Sequence, residues 1–244
     1  MKIDRQNFYA THLLKLLILS LPVMLLSSCG GGAPTPRLPA YLGPAMAHDT
    51  GAREGQIPAS IKAQGVGLFL ISDSTTPQSA PPITGSLLNV LENRIRQHIE
   101  SDLSIQVMEA IPTDLLSPQG EMVDLQKWGK TKQVAQVFVV ILSSREQESF
   151  TVLGEERMMT QMPGIEVENI SLVEIALVDI PTGRIKIQAR GEGVESMEQL
   201  LVPLGDRENP QYSPRDLLRA NAAQKALDQA FGRFKEKWDQ EVPI

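Results

Sequence analysis

Apolar positions along this chain fall into runs of two kinds, and each kind predicts a different element. Gly65-Val66-Gly67-Leu68-Phe69-Leu70-Ile71 and Val137-Phe138-Val139-Val140-Ile141-Leu142 are unbroken apolar segments, the pattern of strands covered on both faces. They predict strands over 61–71 and 134–142. Between them, Leu88, Leu91, Ile95 and Ile99 recur at helical spacing while Glu92, Arg94, Arg96 and Gln97 face outward. This predicts a helix from Thr84, placed as its N-cap, to about Ser101. Ser104–Ile111 reads as a second strand, with Ile105 and Val107 alternating. A short helix around Leu125 and Trp128 follows, with Gly129 weakening its interior or ending it.

The second half is patterned differently. Val173, Ile175 and Leu177 alternate, as do Ile185 and Ile187, on strands 170–180 and 184–191. Asp179-Ile180-Pro181-Thr182-Gly183 supplies the turn of a hairpin. Glu148–Leu153 reads as a separate short strand. Gly154–Val167 reads as a loop whose Met158, Met159 and Met162 fill space beneath it, and Ser196–Tyr212 as another loop. The longest helix runs from Ser213 to about Asp239. Ser213 caps it, Pro214 suits its first position, and Asp216 can close a box back to the cap. Its apolar stripe is Leu217, Ala220, Ala223, Leu227, Phe231, Phe234 and Trp238. Strand, helix, strand, helix, strand, hairpin and long helix together predict an α/β fold of α+β sandwich form. That fold is a mixed sheet of about five strands with helices packed on it and a long C-terminal helix.

The N-terminus carries the one pattern with a covalent consequence. After Lys2 and Arg5, residues 13–26 are apolar except for Lys15, Ser20 and Pro22. A membrane span needs roughly 20 apolar residues, so this run reads as a secretory signal. Leu26-Ser27-Ser28-Cys29 resembles the bacterial lipobox. The resemblance implies that Leu26, Ser27 and Ser28 are read by the signal peptidase and that the Cys29 thiol takes a diacylglyceryl group. The bond before Cys29 is then cut and the new amine acylated, for example by palmitate. Several acyl chains on one residue meet the requirement for a stable anchor. The organisation expected is a signal peptide over 1–28, a lipidated cysteine and flexible linker over 29–60, and one α/β domain over 61–242. Gly30–Ser60, rich in Gly and Pro, reads as a mobile tether that lifts the domain off the membrane. Gly30, standing where an aspartate would favour retention in the inner membrane, points to the outer membrane, facing the periplasm.

Charge and chemistry narrow the classes. The chain carries −6, and residues 1–28 take three cations and one anion with them, leaving the remainder near −8. Nucleic-acid binding needs clustered Lys and Arg, so nucleic acid is not an expected partner. One cysteine allows no internal disulfide. His48 and His98 are the only histidines after the signal, too few for a His-based metal site, and His98 reads as a surface residue. Gly65-x-Gly67 precedes its strand and so does not read as a phosphate loop. Glu146, Glu148, Glu155 and Glu156 lack calcium-loop spacing and read as a solvated face. No catalytic, cofactor-binding or metal-binding residue is assigned.

With the elements in order, the chain resembles the periplasmic lipoprotein domains of the curli-secretion-channel and TolB amino-terminal type. The matching features are Leu125–Lys130 before Val137–Leu142, the turn Asp179–Gly183, and the Ala-rich helix over Leu217–Phe231. Within that group, Ile105–Gly120 is similar to the rhombotarget lipoproteins. The resemblance implies a lipid-anchored periplasmic, non-enzymatic interaction protein acting in envelope assembly, secretion or regulation of an envelope protein partner. Two other readings stay open: a subunit of an oligomeric outer-membrane secretion assembly, and a periplasmic hydrolase in which folding brings distant acids together. Against the former, 154–167 and 196–212 read as too short and too broken by Pro and Gly for barrel strands.

Overall fold

The computed structural model describes residues 32–42, 64–110, 122–153, 162–200 and 213–241. The chain divides into Met1–Gly32 and Ala33–Ile244, and every element below belongs to the second unit. Residues 1–28, the lipobox with Cys29, His48, Met158, Met159 and residues 201–212 lie outside the described residues.

The elements are α1 (Leu38–Leu42), β1 (Val66–Asp73), α2 (Gly85–Gln97), β2 (Val107–Ala110), α3 (Met122–Lys132), β3 (Gln136–Leu153), β4 (Met162–Asp179), β5 (Arg184–Leu200) and α4 (Pro214–Glu241). One π-type turn, His98–Asp102, extends α2. The sheet order is β2-β1-β3-β4-β5. β1 runs parallel to β2 and β3, while β3, β4 and β5 form an antiparallel meander. The mixed five-stranded sheet and long C-terminal helix expected from the pattern are therefore present.

Connection rules explain which helix lies where. The chain leaves β1 in one direction to reach β2, then doubles back past β1 to reach β3. Right-handed crossovers in opposite directions must place their helices on opposite faces. Accordingly, Leu91, Ile95 and Ile99 of α2 join Leu68, Phe138, Val140, Ile175 and Leu177 in one core. Leu125 and Trp128 of α3 join Phe69, Ile71, Val139, Ile141, Ala176 and Val178 in the other. Both faces of β1 and of the first half of β3 are covered, which is why their sequences are apolar without alternation.

Helix α4 lies on β5 and β4, and its approach is set by missing side chains. A Cβ on Gly191 would sit 2.2 Å from the Ala226 carbonyl oxygen, and one on Gly193 2.1 Å from that of Ala222. Ala222, Ala226 and Ala230, spaced four apart, thus ride on a glycine track. The same helix closes the sheet edge. Lys225 Nζ, Arg233 Nη1 and Lys237 Nζ donate to the carbonyls of Val194, Arg190 and Gln188 at 3.4, 2.8 and 2.8 Å. The Glu192 N–H donates to Gln229 Oε1 at 2.7 Å. Four helical residues advance about 6 Å and two strand residues about 6.7 Å, so the rungs stay in step. An edge strand with unpaired backbone invites pairing with another chain, and here the helix takes those groups.

Several expectations change. β3 is one strand of 18 residues, so the separate strand at 148–153 is its continuation. Met162–Val167 belongs to β4 and Ser196–Leu200 to β5, where loops were expected. Gly129 lies inside α3, where a Cβ would meet Ile180 Cγ2 at 2.8 Å; it permits close packing and does not end the helix. Thr84 precedes α2 in extended conformation but makes no side-chain cap bond. The α4 stripe begins at Leu218, with Leu217 exposed. The capping box is formed: the Asp216 N–H donates to Ser213 Oγ at 3.1 Å and the Ser213 N–H to Asp216 Oδ2 at 3.3 Å.

The glycine track yields a test. Gly193→Val should force α4 away from β5 and cost about 3 kcal/mol, the upper range for overpacking. Thermal unfolding followed by circular dichroism should show a clear drop in Tm, whereas Gly232→Ala, in open space on α4, should show none.

Candidate functional site

The residues with the most unusual surroundings lie where β1 ends. Asp73 and Glu174 both point into the face covered by α1 and α3, and their residues are 3 % and 5 % exposed. Buried carboxylates are costly without partners. The partners come from the stretch expected to be a tether. Arg37 Nε donates to Asp73 Oδ2 at 2.6 Å, and Tyr41 Oη donates to Asp73 Oδ1 at 3.0 Å. The Thr75 N–H and Oγ1 donate to the same Oδ1 at 3.1 and 2.7 Å, while Thr75 Oγ1 accepts from Arg37 Nη2 at 2.6 Å. Glu174 Oε2 accepts the N–H of Arg37 and, at 3.0 Å, that of Leu38. It thereby satisfies free amides at the start of α1 and meets its positive end.

Ala33–Leu42 is thus part of the folded unit. Leu38, Tyr41 and Leu42 are 4 to 5 % exposed and pack in the core with Phe69, Ile71 and Val139. This corrects the expectation of a flexible linker over 29–60 for its described part. A Gly- and Pro-rich segment orders here because two buried acids and an apolar sheet face wait for it. Open α/β sheets present a crevice at the carboxyl ends of their parallel strands, where ligands bind. In this protein the chain's own Arg37 and Tyr41 enter that region. A cleft of about 340 Å³ remains beside them, lined by Ala33, Pro34, Thr35, Thr76, Ser79 and Arg145 among others.

The electrostatics follow from these contacts. Burial alone would raise the Asp73 carboxyl, but the bonds from Thr75, Arg37 and Tyr41 outweigh it and hold the group below its ordinary range. Burial raises Glu174 above its ordinary value, and the amides of Arg37 and Leu38 with the nearby arginines offset this only in part. Burial, then the bond to Asp73, raises the Tyr41 hydroxyl.

Two further ionic clusters tie elements together. His98, expected at the surface, stacks on Phe231 with ring centroids 4.7 Å apart. Its Nδ1 lies 2.7 Å from Asp102 Oδ2 and its Nε2 3.2 Å from Asp228 Oδ1. Arg94 grips both Asp228 oxygens at 2.7 and 2.8 Å, pinning α2 to α4. Burial opposes ionisation of Asp228, but the bonds from Arg94 and His98 prevail and lower it. On the far half of β3, Glu148 meets Arg215 at 2.6 Å and Glu146 meets Arg219 at 3.4 Å. Glu146, with its side chain 15 % exposed, is cover for α4, while Glu148 stays on the solvated face expected and Glu155 and Glu156 lie outside the described residues. Arg219, 7 % exposed, also pairs with Asp216.

The residues singled out from sequence, Leu26, Ser27, Ser28 and Cys29, lie outside the described residues. Sequence reasoning missed Arg37, Tyr41, Asp73 and Glu174. Leu38, Tyr41 and Leu42 at i, i+3 and i+4 were the available signal. Among the described residues, no cluster of three or more His, Cys, Asp or Glu could hold a metal ion, and no helix is long and apolar enough to cross a membrane.

No protein-family model and no curated protein matches the chain. Solved structures show distant likeness. The PelC dodecamer from Paraburkholderia phytofirmans is 11 % identical over 72 % of this chain and 94 % of its own, with a TM-score of 0.29. A neuraminyllactose-binding hemagglutinin homolog from Helicobacter pylori is 9 % identical over 72 % and 91 %, with a TM-score of 0.37. The hypothetical protein CT253 from Chlamydia trachomatis is 11 % identical over 72 % and 99 %, with a TM-score of 0.34. Values this low leave any functional reading to rest on the chain's own residues.

Removing Asp73 strands Arg37 and Tyr41, so Asp73→Ala should cost about 2 to 3 kcal/mol in denaturant unfolding. The two acids also have opposite pH signatures. The lowered group, Asp73, contributes stability above its unfolded value, and that contribution is lost as pH falls through its folded value. The raised group, Glu174, binds its proton more tightly when folded, so its contribution declines as pH rises from about 4.5 through its folded value. Glu174→Gln keeps an acceptor for the Arg37 and Leu38 amides without the charge. Melting wild type and variant from about pH 4.5 to about pH 7 should show wild type losing ground to the variant as pH rises.

Proposed function

We propose that this chain is a lipid-anchored periplasmic protein whose folded unit is a non-enzymatic interaction module serving envelope assembly, secretion or the regulation of an envelope partner. The observation that carries the reading is Leu26-Ser27-Ser28-Cys29 closing an apolar run that follows Lys2 and Arg5. Support for binding over chemistry comes from how the charged clusters are used. Asp73 with Arg37 and Tyr41, Asp228 with Arg94 and His98, and Glu146 and Glu148 with Arg219 and Arg215 each join one element to another. Anchoring on Cys29 would place such a module at a membrane without a spanning helix.

A second reading, a subunit of an oligomeric outer-membrane assembly, gains from one observation. The described parts of two segments expected to be short and broken, 162–167 and 196–200, continue β4 and β5, strands of 18 and 17 residues. Native mass measurement in detergent separates the two, since a monomer or dimer fits an interaction module and a large closed ring fits a channel subunit.

Growth on a labelled fatty acid should put label on the wild-type protein and none on Cys29→Ser, and the variant should leave the membrane fraction. An unlabelled wild-type protein, or a variant retained in membranes, would overturn the anchor.

A further inference from the structure

We infer that the cleft beside Ala33–Thr35, at the carboxyl end of β1, binds a small monocarboxylate whose charged end is held by the guanidinium of Arg145. The inference goes beyond the anchor reading and stands whether or not Cys29 carries lipid.

Topology places a crevice here. β1 has β2 on one side and β3 on the other, both parallel to it, so the end of β1 at Asp73 is where the strand order reverses. In open α/β sheets, ligands bind outside the carboxyl ends of the strands at such a point. Arg37 and Tyr41 fill part of the region through their bonds to Asp73, and a cleft of about 340 Å³ remains, room for a small molecule. Its sides are fixed. Ser144 and Arg145 belong to β3. Ala33–Thr35 is held because Arg37 is bonded to Asp73 and the amides of Arg37 and Leu38 to Glu174. Thr76–Ser79 is held by the Ala80 N–H, which donates to the Ser144 carbonyl at 2.8 Å, and by the Ser79 N–H, which donates to the Thr76 carbonyl at 3.0 Å. A site formed in advance loses little freedom when it is filled.

Charge decides the ligand. Alternation from Val139 and Ile141 puts Arg145 on the sheet face that carries Asp73. Arg37, Arg94, Arg215 and Arg219 each meet an acid. Half-buried Arg145 makes no hydrogen bond or ion pair among the described residues, although Glu168 stands diagonal to it on β4. On either side of it along the same face, Ser143 Oγ and Gln147 Nε2 are buried without a partner, so this row of β3 carries hydrogen-bonding capacity that no protein group takes up. Among the described residues lining the cleft, Arg145 is the one cation and none is acidic; Thr35, Thr76, Gln78 and Ser79 add hydroxyls and a carboxamide. A guanidinium fork suits an oxyanion gripped at two oxygens. One cation balances one negative charge, which favours a carboxylate over a dianionic phosphate, and Ala33, Pro34 and Pro77 offer apolar surface to its carbon body.

Acetate is the probe, because a carboxylate site of this kind must accept the smallest carboxylate. The full ¹⁵N-labelled chain in detergent micelles is titrated with sodium acetate at constant ionic strength, and the amide resonances of Thr35, Ser79 and Arg145 are followed. They should move saturably, half-complete on the order of 10 mM, while that of Ala226, packed on β5, stays in place. Acetamide, the neutral isostere, should leave them unmoved, and phosphate should move them several-fold less. Arg145→Gln should lose the acetate response at Thr35 and Ser79, and Arg145→Lys should keep a weaker one, both with the wild-type Tm because Arg145 holds no partner. No saturable movement at Thr35 and Ser79 in the wild type, an equal response to acetamide, a stronger response to phosphate, or an undiminished acetate response in Arg145→Gln overturns the inference. None of these results bears on the acylation of Cys29, so the anchor reading stands or falls separately.

Discussion

Two acids sunk in an apolar sheet face are the constraint on which this structure turns. Asp73 and Glu174 sit among Ile71, Ile141 and Ala176, where an unpartnered carboxylate would be expensive. The same chain supplies the remedy from a distance: the guanidinium of Arg37, the hydroxyl of Tyr41 and two amides at the start of α1. Apolar burial of Leu38, Tyr41 and Leu42 then completes the cover that α3 begins. Hydrophobic burial holds the segment on the sheet, and the acids fix its register. Either term alone would leave the segment less specified.

The opposite face is solved by different means. There the cover is α4, brought within contact of the backbone by Gly191 and Gly193 against Ala222, Ala226 and Ala230. Its C-terminal half packs Phe231, Phe234 and Trp238 into the core. Its N-terminal half meets acids of the strand extension, Glu146 and Glu148, through Arg215 and Arg219. One helix is thus hydrophobically bound at one end and ionically bound at the other, while its Lys225, Gln229, Arg233 and Lys237 occupy the β5 edge.

What could be read from sequence follows the same division. Strands flanked by apolar cover, such as β1 and the first half of β3, were legible because burial on both faces writes itself as unbroken Val, Ile, Leu and Phe. The hairpin at Asp179–Gly183 and the capping box at Ser213 were legible because turns and caps need particular residues. Of the extension of β3, 148–153 was legible as a strand but its join to 134–142 was not, since the cover there is Arg215 and Arg219 and 143–147 is polar. α1 was hidden by composition: Gly and Pro around it argue for disorder, and the acids that order it lie 36 and 136 or more positions away. Gly191 and Gly193 carried no local signal, because the partner that requires them is a helix some thirty residues on. The candidate site was illegible for the same reason, since the bonds that join Arg37, Leu38 and Tyr41 to Asp73 and Glu174 are all long-range.

The docking of Ala33–Leu42 on the two buried acids is the claim on which this account depends, and amide hydrogen exchange on the intact chain tests it most directly. The N–H groups of Arg37 and Leu38, donated to Glu174, should exchange slowly, on the timescale of the amides in β1 and β3. Exchange of those two amides at the rate of an unstructured peptide would mean that the segment is free, and the account would fail with it.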